Sequence, residues 1–495
     1  MSGSARPLGR RTFLAGALAG TAVVAFDPLG RGWVTEASAA GGMPAGAVAT
    51  PRLDGELVTD PAALAEAADD YGHIVHRTPV AVLRPGSVDD IVAVVRYANR
   101  HRIDVAMRGQ GHSTYGQAQV RGGVVIDSRT LATIHRVDAR GAVVDAGVRW
   151  LDLARAAIGQ GLTPPVLTDY VELSVGGTLG CGGIGGATQH YGLQVDTVLE
   201  IEVVTGRGEL RRCSRTRDRA LFEAVLGGLG QFAILTRATI RLVPAPTRAR
   251  AYTLWYSDLE TYLADQRRLL ADGRFSSLEG QVARTADDSG WEFFVDAAAY
   301  YTAPGAPDDA ALLAGLHFDP ARTVVAEYDF VDWVNRLAST VEFLKQIGVW
   351  YFPHPWTDLF LPSSRTADVV STVLADLTLA DTGQGPVLLY PFDTSKLRRP
   401  FVEVPRERVA FLFSLLRTAV PPEPAVVDRM VAGNRTAYEL ARDAGGTRYP
   451  IGSLHFSSRD WRDHYGRDWP AFAAAKAAYD PRRILTPGQG IFETP

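Results

Sequence analysis

The 495-residue chain is poor in cysteine and lysine, and neither sign of charge dominates. Two cysteines, Cys181 and Cys213, are too few for a four-cysteine zinc site or a disulfide framework. Lysine occurs only as Lys345, Lys396 and Lys476, none of which follows a glycine-rich turn, so a P-loop is excluded. With 51 basic and 55 acidic residues the net charge is -4, which argues against a general nucleic-acid binder or a polybasic membrane anchor. Long apolar runs are missing as well. The uncharged run from Phe13 to Phe26 is shorter than the ~20 residues a membrane-spanning helix needs. No later stretch reaches ~18 apolar residues, which predicts a soluble mature chain without a membrane partner. What remains is an ordinary globular composition, 46% hydrophobic and 21% charged, with chain enough for one to three domains.

The N-terminus reads as an address. Arg10-Arg11-Thr12-Phe13-Leu14 precedes the short apolar run, and Ala37-Ser38-Ala39 supplies small residues at a cleavage point. The twin arginine resembles a Tat-type signal, which exports proteins already folded. Residues 1–39 are expected to be this signal peptide, placing the mature protein outside the cytoplasm.

Beyond it, strands and helices interleave. Val80 to Leu83 forms an apolar strand, and Ser87 with Asp90 begins a capped helix whose apolar positions run Val88, Ile91, Val94, Val95 and Ala98. Val105 to Met107, Val124 to Ile126 and Ala142 to Val144 read as strands, and Leu151 to Ile158 as a helix. Leu199, Ile201 and Val203 alternate as one face of a strand that Gly206-Arg207-Gly208 turns into a hairpin. Pro244-Ala245-Pro246 predicts an extended boundary, after which residues 252–449 mix strands and helices as a second, lid-like unit. An alanine-rich helix, Ala471 to Tyr479, precedes Asp480-Pro481 and the terminal Thr486-Pro487-Gly488-Gln489. The class is α+β or α/β.

Forty-nine glycines matter through where they cluster. One loop, Arg108 to Gln117, carries Gly109, Gly111 and Gly116 around His112; another, Gly176 to Gly186, holds seven glycines in eleven positions. Glycine lets backbone N–H groups approach a ligand and form a nest for an anion such as a pyrophosphate. Neither loop has the Rossmann strand–helix context. Two such loops in one unit, one with a histidine between small residues, point to a dinucleotide cofactor. No Cys, Asp or Glu stands at metal spacing from His112, so a metal role is not indicated.

Arg-Gly-Gln-Gly-His-Ser at 108–113, with Gly116-Gln117, resembles the FAD-binding loop of vanillyl-alcohol-oxidase-type flavoproteins and, more narrowly, of cytokinin oxidase/dehydrogenases. Further matches are Thr168-Asp169-Tyr170, Val175 to Leu179, Gly227 to Phe232, Leu278-Glu279-Gly280, Pro353 to Trp356, Tyr390-Pro391, and Asp480-Pro481 with Leu485 to Phe492. The resemblance covers nearly everything after about residue 60. It implies an α+β, two-domain PCMH-type fold with a discontinuous FAD domain: 40–245, a substrate-binding domain at 246–449, and a C-terminal segment, 450–495, that returns to the FAD domain. It implies FAD bonded through its 8α position to His112. Gly109, Gly111, Ser113 and Gln117 would hold the cofactor together with Asp169, Ser174, Gly180 and Ile184. Ile234, Tyr449, Thr486 and Gln489 would reach it from later segments.

The same resemblance makes Asp169 the base that takes the amine N–H proton while hydride passes to flavin N5. It sets Glu279 on the purine ring and Trp356 along the channel. The resulting imine would hydrolyse to adenine and an aldehyde, so the expected substrate is an N6-substituted adenine, with oxygen or a quinone as electron acceptor. Three departures stand out: Gly180 and Thr486 where the family has serines, and Asp358 where plant-type enzymes carry asparagine. A carboxylate at a neutral purine site disfavours binding, which keeps open an oxidase of an alcohol, sugar or other amine. A flavin-free binding protein on a degenerate scaffold is the third reading. Cys181 reads as a small buried residue rather than a second flavin link.

Overall fold

The computed structural model of the chain describes residues 23–27, 30, 32–383 and 385–492. The twin arginine and most of the apolar run lie outside the described residues. Val23–Asp27 and Gly32–Thr35, within the segment assigned to the leader, pair with Val48–Ala49 as a three-stranded sheet. Phe26 contacts Trp33, which stacks on Tyr97.

The first large element group is a four-stranded sheet made of β1 (Glu56–Val58), β2 (Ala81–Arg84), β3 (Val105–Arg108) and β4 (Val124–Asp127), in the order β1-β2-β4-β3. The pairs β2–β4 and β3–β4 are parallel. Parallel strands need covered faces and crossover helices, hence the Val-rich runs and helix α1 (Val88–His101) between β2 and β3. Asp90 closes the start of α1 by accepting from the backbone of Gly86 and Ser87, and also from Asp54 and Gly55, so one buried carboxylate ties two turns together.

The second sheet holds β5 (Ile134–Asp138), β6 (Gly141–Asp145), β7 (Val198–Thr205), β8 (Leu210–Ser214) and β9 (Ala233–Ile240), in the order β8-β7-β9-β6-β5. The β7–β8 hairpin forms across Gly206–Gly208 as its turn chemistry predicts. The alternation on β7 does not hold throughout. A register shift between Val198 and Glu200 turns Leu199 to solvent at 43% exposure, while Glu202 is buried against Thr236 and Arg212.

After Pro246 the chain enters a different sheet. Val243–Pro244 is not a bare linker, since it pairs with Leu162–Thr163. Then β10 (Arg248–Tyr256), β11 (Ser277–Arg284), β12 (Trp291–Tyr301), β13 (Val324–Asp329), β14 (Thr357–Pro362), β15 (Val387–Asp393), β16 (Val409–Leu415) and β17 (Thr447–Arg448) form one antiparallel sheet, ordered β13-β10-β12-β11-β15-β16-β14-β17. On β11, Gly280 packs against Tyr262 and Gln266 of helix Leu259–Asp272. Successive strand residues face opposite ways, so Ser277 and Glu279 look toward the second glycine loop. Between β13 and β14, short helices α2 (Phe330–Val334) and α3 (Ala338–Gln346) cross that side.

The last residues return to the first sheet. Val105 N–H donates to Ile484 O at 2.7 Å and Thr486 N–H to Val105 O at 2.8 Å. Helix α4 (Trp469–Tyr479) anchors this return: buried Lys476 pairs with Asp480 at 2.9 Å and donates to Gln231 O and Leu485 O. Among the described residues no helix is long and apolar enough to cross a membrane.

Candidate active site

Segments far apart in sequence meet around the two glycine loops. A Cβ at Gly109 would stand 2.0 Å from Ser174 Oγ, so only glycine allows this contact. Gly111 adopts φ +69° beneath the Arg108 guanidinium. Ser113 Oγ donates to Asp70 Oδ2 at 3.0 Å. Gln117 Nε2 donates to Gly452 O at 3.1 Å, and a Cβ on Gly488 would meet Gly116 O at 2.3 Å. The first loop therefore rests on the C-terminal return. In the second loop, Gly183 N–H donates to the Tyr449 hydroxyl at 2.8 Å, and Ile184 packs beside Tyr449. Thr486 Oγ1 donates to Gly230 O at 2.9 Å. Gln489 O accepts from Trp461 Nε1 at 3.0 Å. Ile234 is buried among Val105, Ile126 and Ile484, so its side chain serves the core of the first sheet.

His112 sits in an aromatic stack. Tyr71 lies on it at 4.1 Å between centroids, Tyr170 at 4.8 Å, and Trp356 meets it edge-on at 5.5 Å. Burial, with His354 nearby, lowers its pKa to about 3, so the imidazole is neutral and its nitrogens are available. Trp350 lines the cavity beside His112, a cavity of about 710 Å³, whereas Trp356 stands behind the ring with Nε1 buried and unpartnered among the described residues. The other face of Tyr71 stacks on His354 at 4.1 Å.

A second cavity of about 600 Å³ lies on the other side of Asp169, which borders both. Asp169 Oδ1 accepts from Arg336 Nη2 at 2.5 Å, and Glu279 Oε2 accepts from the same nitrogen at 3.1 Å. Asp296 stands directly across from Glu279 on β12. Burial, then the charge of Asp169, drives the Glu279 pKa well above the usual carboxyl value, against the pull of Arg336. Burial raises Asp296 to about 6. Burial opposes the charge on Arg336, but Asp169, Glu279 and Asp296 outweigh it and raise its pKa. A Cβ on Gly186 would reach Ser277 Oγ at 2.0 Å and Glu279 Oε1 at 2.8 Å, so the glycine loop admits the acid.

Sequence reasoning missed Arg336, Asp296, Asp70 and Trp350. Asp70 accepts from Ser113 Oγ and from the N–H groups of Gly116 and Gly72, and burial raises it to about 6. Nothing local marks these residues, because their roles exist only across chain crossings. Asp358 calls for a correction. It borders neither cavity; it is buried at 3% exposure on β14 and accepts from Ser414 Oγ at 2.6 Å. Every residue of β14 is buried, Asp358 faces Ser414 across the ladder to β16, and burial raises its pKa to about 7. Cys181 is unbridged, and burial pushes its thiol up to about 11, so it is no ready nucleophile.

The residues present fit a flavin dinucleotide. A Cβ on Gly180 would meet nothing within 4 Å, which leaves room over the second loop. Trp356 Nε1 offers an unused donor beside a neutral His112.

Comparison with known proteins agrees with this fit. A family model for an FAD binding domain matches residues 79–214, and one described as cytokinin dehydrogenase 1, FAD and cytokinin binding, matches residues 286–492. Cytokinin dehydrogenase 1 of Oryza sativa subsp. japonica is 37% identical over 92% of this chain and 96% of its own. Cytokinin dehydrogenase 2 of Arabidopsis thaliana is 35% identical over 88% of this chain and 93% of its own. An uncharacterized oxidoreductase, ORF5 in the fasciation locus of Rhodococcoides fascians, is 41% identical over 88% of this chain and 99% of its own. With its two-domain α+β PCMH-type fold, this chain is an FAD-dependent oxidoreductase and belongs to the cytokinin dehydrogenase family.

Proposed function

We propose that this enzyme oxidises the N6 side chain of isopentenyladenine-type cytokinins, releasing adenine and an aldehyde. The observation that carries the reading is Asp169, placed between two cavities and beside Glu279, with His112 and Tyr170 bordering the same space. FAD, when bound, supplies a hydride acceptor. His112 would hold it covalently through the 8α carbon, since a neutral imidazole nitrogen is free to form that bond. Gly109, Gly111, Ser113, Gln117, Ser174, Gly180, Ile184, Ile234, Tyr449, Thr486 and Gln489 would make up the rest of its seat.

Asp169 takes the proton from the side-chain nitrogen as the neighbouring C–H bond gives up hydride, and the substrate becomes an imine. Proton acceptance of this kind contributes ~10²–10⁴-fold. Glu279, whose raised pKa favours the protonated acid, donates a hydrogen bond to a purine ring nitrogen and orients the side chain. Water then adds to the imine carbon, the C–N bond breaks, and adenine leaves with the nitrogen. Trp356 stands edge-on behind His112 and lines neither cavity, so Trp350 takes the place beside the channel. Oxygen or a quinone would be the final electron acceptor.

Purified enzyme incubated with isopentenyladenine and an artificial acceptor is expected to bleach its flavin and release adenine. Inertness of fully flavinated protein would overturn the reading, and selective turnover of a polyol would favour the alcohol or sugar oxidase instead. Acid precipitation should leave the yellow colour on the protein, and His112→Ala should release it. We also propose Tat-type export, with residues 1–39 removed. Replacing Arg10-Arg11 by lysines should retain the protein in the cytoplasm, and N-terminal sequencing of secreted protein should begin after Ala39.

A further inference from the structure

Three carboxyl groups converge where a single base is needed. Asp169 comes from the loop between the glycine segments, while Glu279 and Asp296 come from facing positions on β11 and β12. Like charges opposite one another across strands repel. Arg336, in the turn between α2 and α3, reaches both Asp169 and Glu279 with the same Nη2 atom. Its side chain is 18% exposed, and the ring of Trp333 lies 4.4 Å from its guanidinium carbon.

We propose that Arg336 is the positioning residue of this acid pair: it holds Asp169 and Glu279 together and supplies the charge that lets Asp169 work as a base beside a second carboxyl. The proposal rests on the reading of Asp169 as proton acceptor, and it deepens that reading. Two carboxyls in contact cannot both ionise without compensation, and an adjacent cation favours the ionised form by ~1–3 pH units. The groups that face Arg336 are Asp169, Glu279 on β11, and Asp296 and Tyr300 on β12. Tyr390 on β15 also lies near Glu279 and Asp169. Arg336 is the cation that acts on both Glu279 and Asp296. Without it Asp169 loses its counter-charge and holds a proton of its own beside the one on Glu279, and the base is lost where the enzyme needs it.

The test compares Arg336→Gln and Arg336→Lys with wild type as flavinated, full-length enzymes. In Arg336→Gln the acidic limb of kcat/KM for isopentenyladenine should move up by ~1–3 pH units. The rate should fall at least tenfold at pH 6 and recover on the alkaline side, while KM on the alkaline side stays within about threefold of wild type, a change worth less than ~0.7 kcal/mol. Arg336→Lys keeps the charge and should keep the limb close to wild type. A second readout needs no substrate. Infrared difference spectra across the pH range should contain a carboxyl band that Asp169→Asn removes, and that band should persist to higher pH in Arg336→Gln. Coincident limbs and band midpoints in Arg336→Gln and wild type would overturn the proposal. So would an equal loss at every pH, the mark of a purely structural role. Should Arg336→Gln fail to fold, Arg336→Lys decides: an unmoved limb supports the proposal, and a shift of ~1 unit or more overturns it. If wild type leaves isopentenyladenine untouched, the cytokinin reading fails, and the infrared midpoint still reports on Arg336.

Discussion

The glycine cradle and the acid cluster lie next to each other and are built on opposite principles. Around Gly109, Ser174, Gly183 and Tyr449 the contacts are close and neutral, made by backbone groups and hydroxyls. Around Asp169 the contacts are charged: two carboxyl groups on one guanidinium, with a third acid opposite. The cradle leaves no room for an added atom at Gly109 or Gly186, where a Cβ would stand 2.0 Å from Ser174 Oγ and from Ser277 Oγ. The cluster turns on charge, and its proposed task is to move a proton. Changes of volume should therefore dominate in the first region and changes of charge in the second.

The most direct way to break that contrast is Asp169→Asn, which keeps shape and removes the base. It should lower kcat by ~10²–10⁴-fold with flavin content unchanged, as read by stopped-flow flavin reduction. Loss of flavin instead would make Asp169 a cradle residue.

Asp358 tests whether buried charge outside the cluster only costs stability. Its pKa in the fold, about 7, lies above that of an unfolded aspartate. The folded chain therefore binds the extra proton between about pH 4 and 7, so the stabilisation is complete below that window and lost as pH rises through 7. Asp358→Asn removes this dependence. Its gain should be absent near pH 4 and reach ~3–4 kcal/mol by pH 8, measured by denaturant melts at both pH values. A gain of equal size at pH 4 would show that charge is not the cause.

Gly109→Ala adds one methyl at the tightest point of the cradle. It should cost ~1–3 kcal/mol and reduce the flavin-to-protein absorbance ratio, and Ser174→Gly in the same chain should restore part of both. Gly180→Ala is the mildest change. Its Cβ meets open space, so stability without cofactor should move by less than ~0.5 kcal/mol, while flavin loading drops if that space belongs to the cofactor.

Local chemistry was readable where neighbours in sequence are neighbours in space. Ser87 and Asp90 announce α1 because a capping box closes within one turn. Gly206–Gly208 announces its hairpin for the same reason. Leu199 misled because a bulge shifts register through pairing with β9, which a single strand does not reveal. Asp358 misled because its nearness to Trp356 in sequence suggested the channel, whereas Asp358 lies within β14, bonded to Ser414 of the paired strand β16, and Trp356 precedes that strand. Arg336 was invisible as one arginine among many, since its significance lies in carboxylates 57 and 167 residues away.

The sequence by itself determined the cofactor class, the two glycine loops and the strand–helix order, because each depends on residue type and short-range spacing. Tertiary structure alone decided that Asp169, Glu279 and Arg336 form one charged unit between two cavities, and that Asp358 does not join it. Electrostatic coupling falls off steeply with distance and strengthens with burial. Which charges meet, and how far from water, is settled only when the chain closes on itself.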